Sequence, residues 1–352
     1  MTAQTNAPLP DGIELNGYRI VRKIASGGFS MVYLAMDEVG DKFAIKEYLP
    51  STLVKRAPGE LIPMIPEKNL GSFRNGLKCF FEEGRSLARI EHPNVVRVSN
   101  FFRAHETVYM VMGFEEGTTL QELILKHRSR ASKADKQAVI SSGDTSISKY
   151  GGIISEKHIR RIFNLTMNGL REVHTNRLLH LDIKPANIYL RYDGTPILLD
   201  FGAARQSLNA EGPKLFPMYT PGFAPPELYR RNQSLGPWTD VYGLGASMFA
   251  CMVGAPAQPA DQRELTDKMP KILDGLRSKY SEPLVQLVDW CLKLNPLERP
   301  QSVFALQRAL RKALPAGEVE VEPPSTLTRW IDNVTARINR KRVSSEQLTL
   351  GG

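Results

Sequence analysis

Residues 18–48, YRIVRKIASGGFSMVYLAMDEVGDKFAIKEY, alternate apolar and polar positions, interrupted by a glycine pair and by a Gly-Asp turn. A period of two residues sends successive side chains to opposite faces of a sheet, so the pattern predicts three antiparallel strands. A loop rich in proline and glycine follows over 49–71. The spacing then changes: Phe73, Leu77, Phe80, Leu87 and Ile90 fall at helical intervals and predict a helix over 72–90. Strand patterns return at 95–104 and 108–114. After Gly117 the periodicity is helical as far as Leu314. Leu120, Leu123 and Ile124 make one short face; Ile159, Ile162, Phe163, Leu170 and Val173 make a longer one, with Ser155 as its N-cap. Residues 239–253, TDVYGLGASMFACMV, are apolar nearly all round, the mark of a buried helix.

These elements define an α+β chain with a small β-rich lobe, a larger mostly helical lobe and a tail. Residues 1–17 read as a flexible N-terminal extension. Two stretches interrupt the pattern. STLVKRAPGELIPMIPEKN (51–69) reads as a surface loop, with partner docking as the other reading. The Ser-rich stretch 126–152 reads as disordered, with a functional loop as the other reading. A Pro/Glu-rich linker begins at 315, and residues 325–342 form a basic amphipathic pattern with Leu327, Trp330, Ile331, Val334 and Ile338 on one face. Such a helix lies on anionic membrane, docks on a protein partner or packs back on its own lobe.

Composition narrows the class without choosing a function. The chain has 352 residues, 42% apolar and 24% charged, ordinary for a globular protein. No apolar run reaches the roughly 18 residues that span a bilayer. The first fifteen residues lack a basic start followed by an apolar segment, so no signal peptide is expected. Cys79, Cys251 and Cys291 are too scattered for a disulfide framework or metal cluster. These features make a cytoplasmic protein the expectation, peripheral at the membrane if the basic helix binds lipid. The net charge of +9 suits acidic ligands. No aromatic-and-basic surface motif accompanies it, so no specific nucleic acid is expected.

Four short motifs carry chemistry: FAIK (43–46), HLDIKPAN (180–187), DFG (200–202) and PGFAPPEL (221–228). Asp-x-Lys-x-x-Asn followed thirteen residues later by Asp-Phe-Gly is too specific an arrangement for chance, given FAIK upstream. In order and spacing these motifs resemble those of the bacterial, eukaryotic-like (Hanks-type) Ser/Thr protein kinases. The resemblance covers residues 18–314 and implies an N-lobe (18–112), a hinge (113–117) and a C-lobe (118–314). It implies transfer of the ATP γ-phosphate to Ser/Thr hydroxyls of protein substrates, autophosphorylation included, with Mg²⁺ as the metal and Mn²⁺ as a substitute.

The resemblance also assigns residues. Lys46 would hold the phosphates, paired with Glu83 on the following helix; Glu82 is its neighbour if the count slips by one. Asp182 would be the base toward the substrate hydroxyl and Lys184 would neutralise the transferring phosphate. Asn187 and Asp200 would bind the metal. ATP would further meet Ala25, Gly27, Gly28, Val32 and Ala44. Met112 is the gatekeeper position, Gly113 and Glu115 offer hinge backbone, and Tyr189 lies below the adenine. Thr220 marks the Ser/Thr-directed activation segment, Glu227 pairs with Arg299, and Asp240 bonds the catalytic-loop backbone.

Two departures matter. The glycine loop, aligned on Phe29 and Val32, offers Ala25, Gly27 and Ser30 where the family has three glycines. Leu181 stands where the family usually carries the Arg that binds a phosphorylated loop residue. Between Ala203 and Met218 the only hydroxyl is Ser207. Loop phosphorylation is therefore not expected to be the main switch. The alternative function is a pseudokinase, a nucleotide-binding scaffold.

Overall fold

The computed structural model describes residues 5–129, 154–201, 219–230 and 233–312. Ser207, most of 126–152 and the basic tail lie outside them.

The N-terminal half folds as a six-stranded antiparallel sheet: β1 (Glu14–Leu15), β2 (Tyr18–Ser26), β3 (Ser30–Met36), β4 (Lys42–Tyr48), β5 (Val98–Ala104) and β6 (Thr107–Gly113), in the order β1-β2-β3-β4-β6-β5. The register puts Lys46 opposite Val32 on β3 and Met110 on β6, and Ala44 opposite Met112. Paired residues share a face, so Val32, Ala44, Lys46 and Met112 all look to one side. Helix α1 (Leu70–Leu87) packs there, burying Phe73, Leu77, Phe80, Glu83 and Leu87. Tyr48 stacks between the Phe73 and Phe80 rings at 5.4 and 5.6 Å.

Below the sheet, β7 (Gly117–Thr119), β8 (Ile188–Arg191) and β9 (Pro196–Leu198) form a small antiparallel sheet of their own. A helix over 120–129, here α2, follows β7, and α3 (Glu156–Thr175) carries the long apolar face read from the sequence. The apolar stretch forms α5 (Pro237–Val253), buried along almost its whole length. Around it stand α4 (Pro226–Tyr229), α6 (Ala260–Leu265), α7 (Met269–Leu276), α8 (Glu282–Cys291) and α9 (Val303–Lys312). The mixed α+β architecture is therefore the expected one. Among the described residues no helix is long and apolar enough to cross a membrane.

The structure departs from the sequence pattern where contacts come from afar. Residues 5–17 do not hang loose: Leu9 and Leu15 are buried, and the Leu9 N–H donates to the Tyr33 hydroxyl at 3.1 Å. Val95 and Val96 read as the start of a strand, but Val96 N–H donates to the Leu198 carbonyl and joins β9 instead. Ser155 stands at the N-cap of α3, yet its hydroxyl meets His158 Nδ1 at 2.7 Å rather than the helix backbone. Most of the 51–69 stretch lies at the surface, as expected, but Val54 and Arg56 are buried within it.

Glu227 on α4 and Arg299 form the expected buried pair, joined by two bonds of 2.7 and 3.0 Å. Arg299 also donates to the carbonyls of Lys293, Leu294 and Trp238. Removing one partner of such a pair strands the other charge and costs about 3–5 kcal/mol. Arg299→Met should lower the melting temperature by several degrees in thermal denaturation, and a melt that coincides with wild type would reject this account.

Candidate active site

The lower half of the site hangs from one buried carboxylate. Asp240 on α5 accepts the His180 N–H on Oδ2 at 2.9 Å and the Leu181 N–H on Oδ1 at 2.7 Å. His174 Nε2, from α3, lies 2.8 Å from Oδ2. Burial alone would raise the Asp240 pKa; the bond and charge of His174, with the backbone donors, outweigh it and hold the group below the usual carboxylate range. Leu181 needs this anchor, because its φ of 62° lies in the left-handed region. That conformation costs a residue with a side chain about 1–3 kcal/mol. A hydrogen bond to a charged acceptor contributes about 1.5–3 kcal/mol, enough to hold it there. The Leu181 side chain packs with Ala224 and Leu228, bordered by Leu179, Tyr219, Tyr229 and Leu235. A residue of the catalytic loop thus touches the 219–229 segment through apolar contact.

With Leu181 fixed, Asp182 is aimed. Lys184 Nζ lies 2.6 Å from Asp182 Oδ2 and donates to Thr220 Oγ1 at 2.9 Å. The Thr220 hydroxyl in turn donates to Asp182 Oδ1 at 3.1 Å. Asn187 Nδ2 donates to the Asp182 carbonyl and to its Oδ2, at 2.9 and 3.0 Å. The structure therefore brings Asp182, Lys184, Asn187 and Thr220 into one connected group. His180, fully buried, ties this group to the next segment. Its Nε2 lies 3.0 Å from the Leu199 carbonyl and must donate there, so Nδ1 is free to accept the Asp182 N–H at 3.3 Å. Burial, against the pull of Asp240 and Asp182, keeps the ring's pKa below its ordinary value and the ring neutral. It stacks on Phe201 with centroids 4.5 Å apart.

Above the loop, Lys46 Nζ meets Asp200 Oδ1 at 2.6 Å, with the Phe80 ring 5.7 Å away. Asp200 also has a left-handed φ, 54°. Burial draws the Lys46 ammonium down, but Asp200 and Glu83 outweigh it and hold its pKa above the ordinary lysine value. The charge of Lys46 holds Asp200 below the carboxylate range. The expected Lys46–Glu83 pair is the one contact that differs: among the described residues no ion pair joins them, and Glu83 Oε1 is buried without a hydrogen-bond partner. The ammonium is taken by Asp200, so burial pushes the Glu83 carboxyl up to about 8, with Lys46 opposing.

The nucleotide face is built by register. Ala25 pairs with Val32 at the base of the β2–β3 hairpin, and the Gly27 N–H closes its tip on the Ser30 carbonyl at 2.9 Å, with Gly28 between. At the hinge the Gly113 N–H is used by the Arg97 carbonyl. The Glu115 side chain is gripped by Arg191 of β8 through two bonds of 2.7 Å. A side chain at Gly117 would collide with the Leu190 carbonyl, so this position tolerates no Cβ. Tyr189, half-buried on β8, pairs with Thr119 of β7. Arg191 and the bridging geometry of His180 went unread in the sequence. His180 lay inside a quoted motif, whereas Arg191 carried no local signal at all.

A β-sheet lobe above a helical lobe, with a lysine, two aspartates and an asparagine converging between them, defines a phosphotransferase of protein-kinase architecture. The protein kinase domain family matches residues 18–311. Serine/threonine-protein kinase PknA of Nostoc sp. is 26% identical over 88% of this chain and 48% of its own length. Serine/threonine-protein kinase Nek3 of Mus musculus is 26% identical over 84% of this chain and 49% of its own. A solved structure, the apo form of PpkA-294, superposes with a TM-score of 0.70 at 33% identity, covering 86% of this chain and 99% of that one. The chain belongs to the protein kinase family and carries a serine/threonine protein kinase domain. It spans about half the length of the two named relatives.

The Glu83 shift has a signed consequence. The folded state holds the Glu83 proton up to about pH 8, whereas a free glutamate releases it near 4.5. Its contribution to stability is thus full below the lower value and is lost as pH rises toward the upper one. Glu83→Gln should gain in melting temperature relative to wild type between pH 5 and pH 8; parallel pH profiles would show that the carboxyl is already ionised.

Proposed function

We propose that the chain is a working kinase that transfers the ATP γ-phosphate to serine or threonine hydroxyls of proteins, itself included. The observation that carries this reading is the linked set Asp182–Lys184–Thr220–Asn187, facing the Lys46–Asp200 pair. Phosphoryl transfer needs positioning and charge more than covalent chemistry, and this set supplies both. Asp182 accepts the proton of the incoming hydroxyl. Lys184 neutralises charge on the moving phosphoryl group, and Lys46 steadies the phosphates that stay. Thr220, bonded to both loop residues, holds them in mutual register at the substrate side.

The donors present suit a divalent metal. Asp200 stays ionised beside Lys46 and its carboxylate is half-exposed. Asn187 spends its amide N–H groups on Asp182, which leaves its oxygen as the free end. Hard oxygen ligands of this kind favour magnesium, which would neutralise phosphate charge when bound there. Adenine would lie under Val32 and Ala44 and above Tyr189. Because the Gly113 N–H is engaged, hinge bonding falls to the remaining backbone groups of Gly113 and Glu115.

The eroded glycine loop favours a second reading, a nucleotide-binding scaffold without transfer. Radiolabelled ATP with Mg²⁺ separates the two. Wild type should label itself or a generic Ser/Thr protein, while Asp182→Ala and Lys46→Met should fall by at least about a hundredfold. Labelling no higher in wild type than in the variants would leave only the scaffold.

Regulation follows from Leu181. Its apolar packing on Ala224 and Leu228 supports a substrate-side segment ordered without a phosphate. Initial rates of Ser207→Ala and of phosphatase-treated wild type should match untreated wild type within about twofold; a tenfold loss in either would restore loop phosphorylation as the switch.

A further inference from the structure

The glycine loop has lost two of the family's three glycines, yet its tip is tied down from outside. The Gly28 carbonyl accepts both the backbone N–H of Ser51 at 2.9 Å and its hydroxyl at 3.2 Å. The neighbouring Phe29 carbonyl accepts the Leu49 N–H at 2.8 Å. These donors stand at the entry to the 51–69 stretch, which Ser51 opens. The chain then turns, with the N–H groups of Leu53 and Val54 both on the Pro50 carbonyl, buries Val54 and reaches Arg56.

Arg56 anchors the far end. Its guanidinium grips Glu47 Oε1 at 2.5 Å and Oε2 at 2.8 Å, and donates to the Tyr33 hydroxyl at 2.9 Å. Tyr33 and Tyr109 each donate to Glu47, at 2.7 and 2.9 Å. Neither Arg56 nor Glu47 has any side-chain exposure. The N-terminal residues close over this cluster. Arg56 Nε donates to the Ala7 carbonyl and the Arg56 N–H to Asn6 Oδ1, at 2.9 and 2.7 Å. Every strong donor and acceptor of the pair is thereby satisfied, which a buried ion pair requires.

The placement ties this cluster to the nucleotide side. Glu47 pairs with Met31 on β3 and Tyr109 on β6. The adjacent row across the same strands is Val32–Lys46–Met110. One row faces the cluster and the other faces the cleft, so whatever fixes the first fixes the strands that carry Lys46.

We propose that residues 49–56 are a brace that pre-positions the glycine-loop tip and the Lys46 row for the nucleotide, with Ser51 and Arg56 as its positioning residues. The proposal rests on the nucleotide-binding reading above. A loop ordered before the ligand arrives loses less conformational freedom on binding, which offsets the missing glycine contacts in affinity. Loosening the brace weakens nucleotide binding and leaves the transfer step intact.

Ser51→Pro tests one end. Ser51 is the second residue of a turn closed by the Leu53 N–H on the Pro50 carbonyl, a turn position that accepts proline; the ring there replaces the N–H that faces the Gly28 carbonyl, so the change removes both donors and pushes the tip off its tie. Ser51→Thr keeps both donors and is the control. The double change Arg56→Met with Glu47→Leu tests the other end without leaving a charge stranded. Hydrogen exchange is measured on the nucleotide-free full chain at the amides of residues 27–31, and steady-state rates over a range of ATP concentrations. Both donor-removing variants should exchange at least about fivefold faster there and raise KM for ATP about fivefold, with kcat within twofold and Ser51→Thr like wild type. Unchanged exchange overturns the brace. So does a fall in kcat at constant KM, which reports only fewer folded molecules. A wild type that uses no ATP overturns the nucleotide reading instead, and the exchange comparison still decides the brace.

Discussion

Asp240 lies fully buried in a mostly apolar helix, where an unpaired carboxylate would be prohibitive. Its charge is stable there because three donors from two other parts of the chain converge on it: His174 of α3 and the backbone of His180 and Leu181. The same bonds hold Leu181 in a conformation it would otherwise leave. Each part therefore depends on the others. The helix buries the charge, the charge bends the loop, and the bent loop points Asp182 at Thr220 and Lys184. Loss of the carboxylate would remove the reason for the bend and with it the direction of Asp182.

The upper lobe obeys a different constraint, the alternation of a strand. Lys46 and Glu47 are adjacent in sequence and so face opposite sides of the sheet. One joins Asp200 in the cleft; the other is locked with Arg56 under the N-terminal segment. A slip of one residue would exchange the cation that faces Asp200 for a buried carboxylate, so the satisfied Glu47 cluster also fixes the register that places Lys46 in the cleft. Within the cleft the charges compete. Lys46 has two carboxylates within reach of its field and bonds one; burial pushes the Glu83 carboxyl up, and the field of Lys46, bonded to Asp200, opposes the rise without cancelling it.

The sequence carried much of this because protein kinase motifs pack their chemistry into short segments. Lys46, Asp182, Lys184, Asn187 and Asp200 were each legible from neighbours a few residues away, and the structure brings all of them to one cleft. Glu83 was named only through the resemblance, as the expected partner of Lys46, and nothing in its neighbours showed that Oε1 would be buried without a hydrogen bond. Pairing depends on where Asp200 points, and that follows from a left-handed backbone at a residue distant in sequence. The 51–69 stretch is mostly exposed, as read, but its buried anchor gave no local signal. Arg56 between Lys55 and Ala57 looks like any surface charge until Glu47, Tyr33 and Asn6 arrive around it.

By itself the sequence determined the two-lobed α+β organisation, the strands of residues 18–48 and the motif residues that meet in the cleft, because periodicity and motif spacing are local properties of the chain; the short strands β7, β8 and β9, in a stretch whose pattern reads as helical, were decided by tertiary pairing. Only the tertiary structure decided which charges meet: Lys46 with Asp200, Glu115 with Arg191, Glu47 with Arg56. It also decided that residues 5–17 and 51–69 close over the outer face of the sheet. These outcomes depend on how the folded backbone aims side chains that local periodicity leaves undirected: burial removes water as the competing partner at Glu47–Arg56, whereas at the half-exposed Asp200 geometry and charge select the pair.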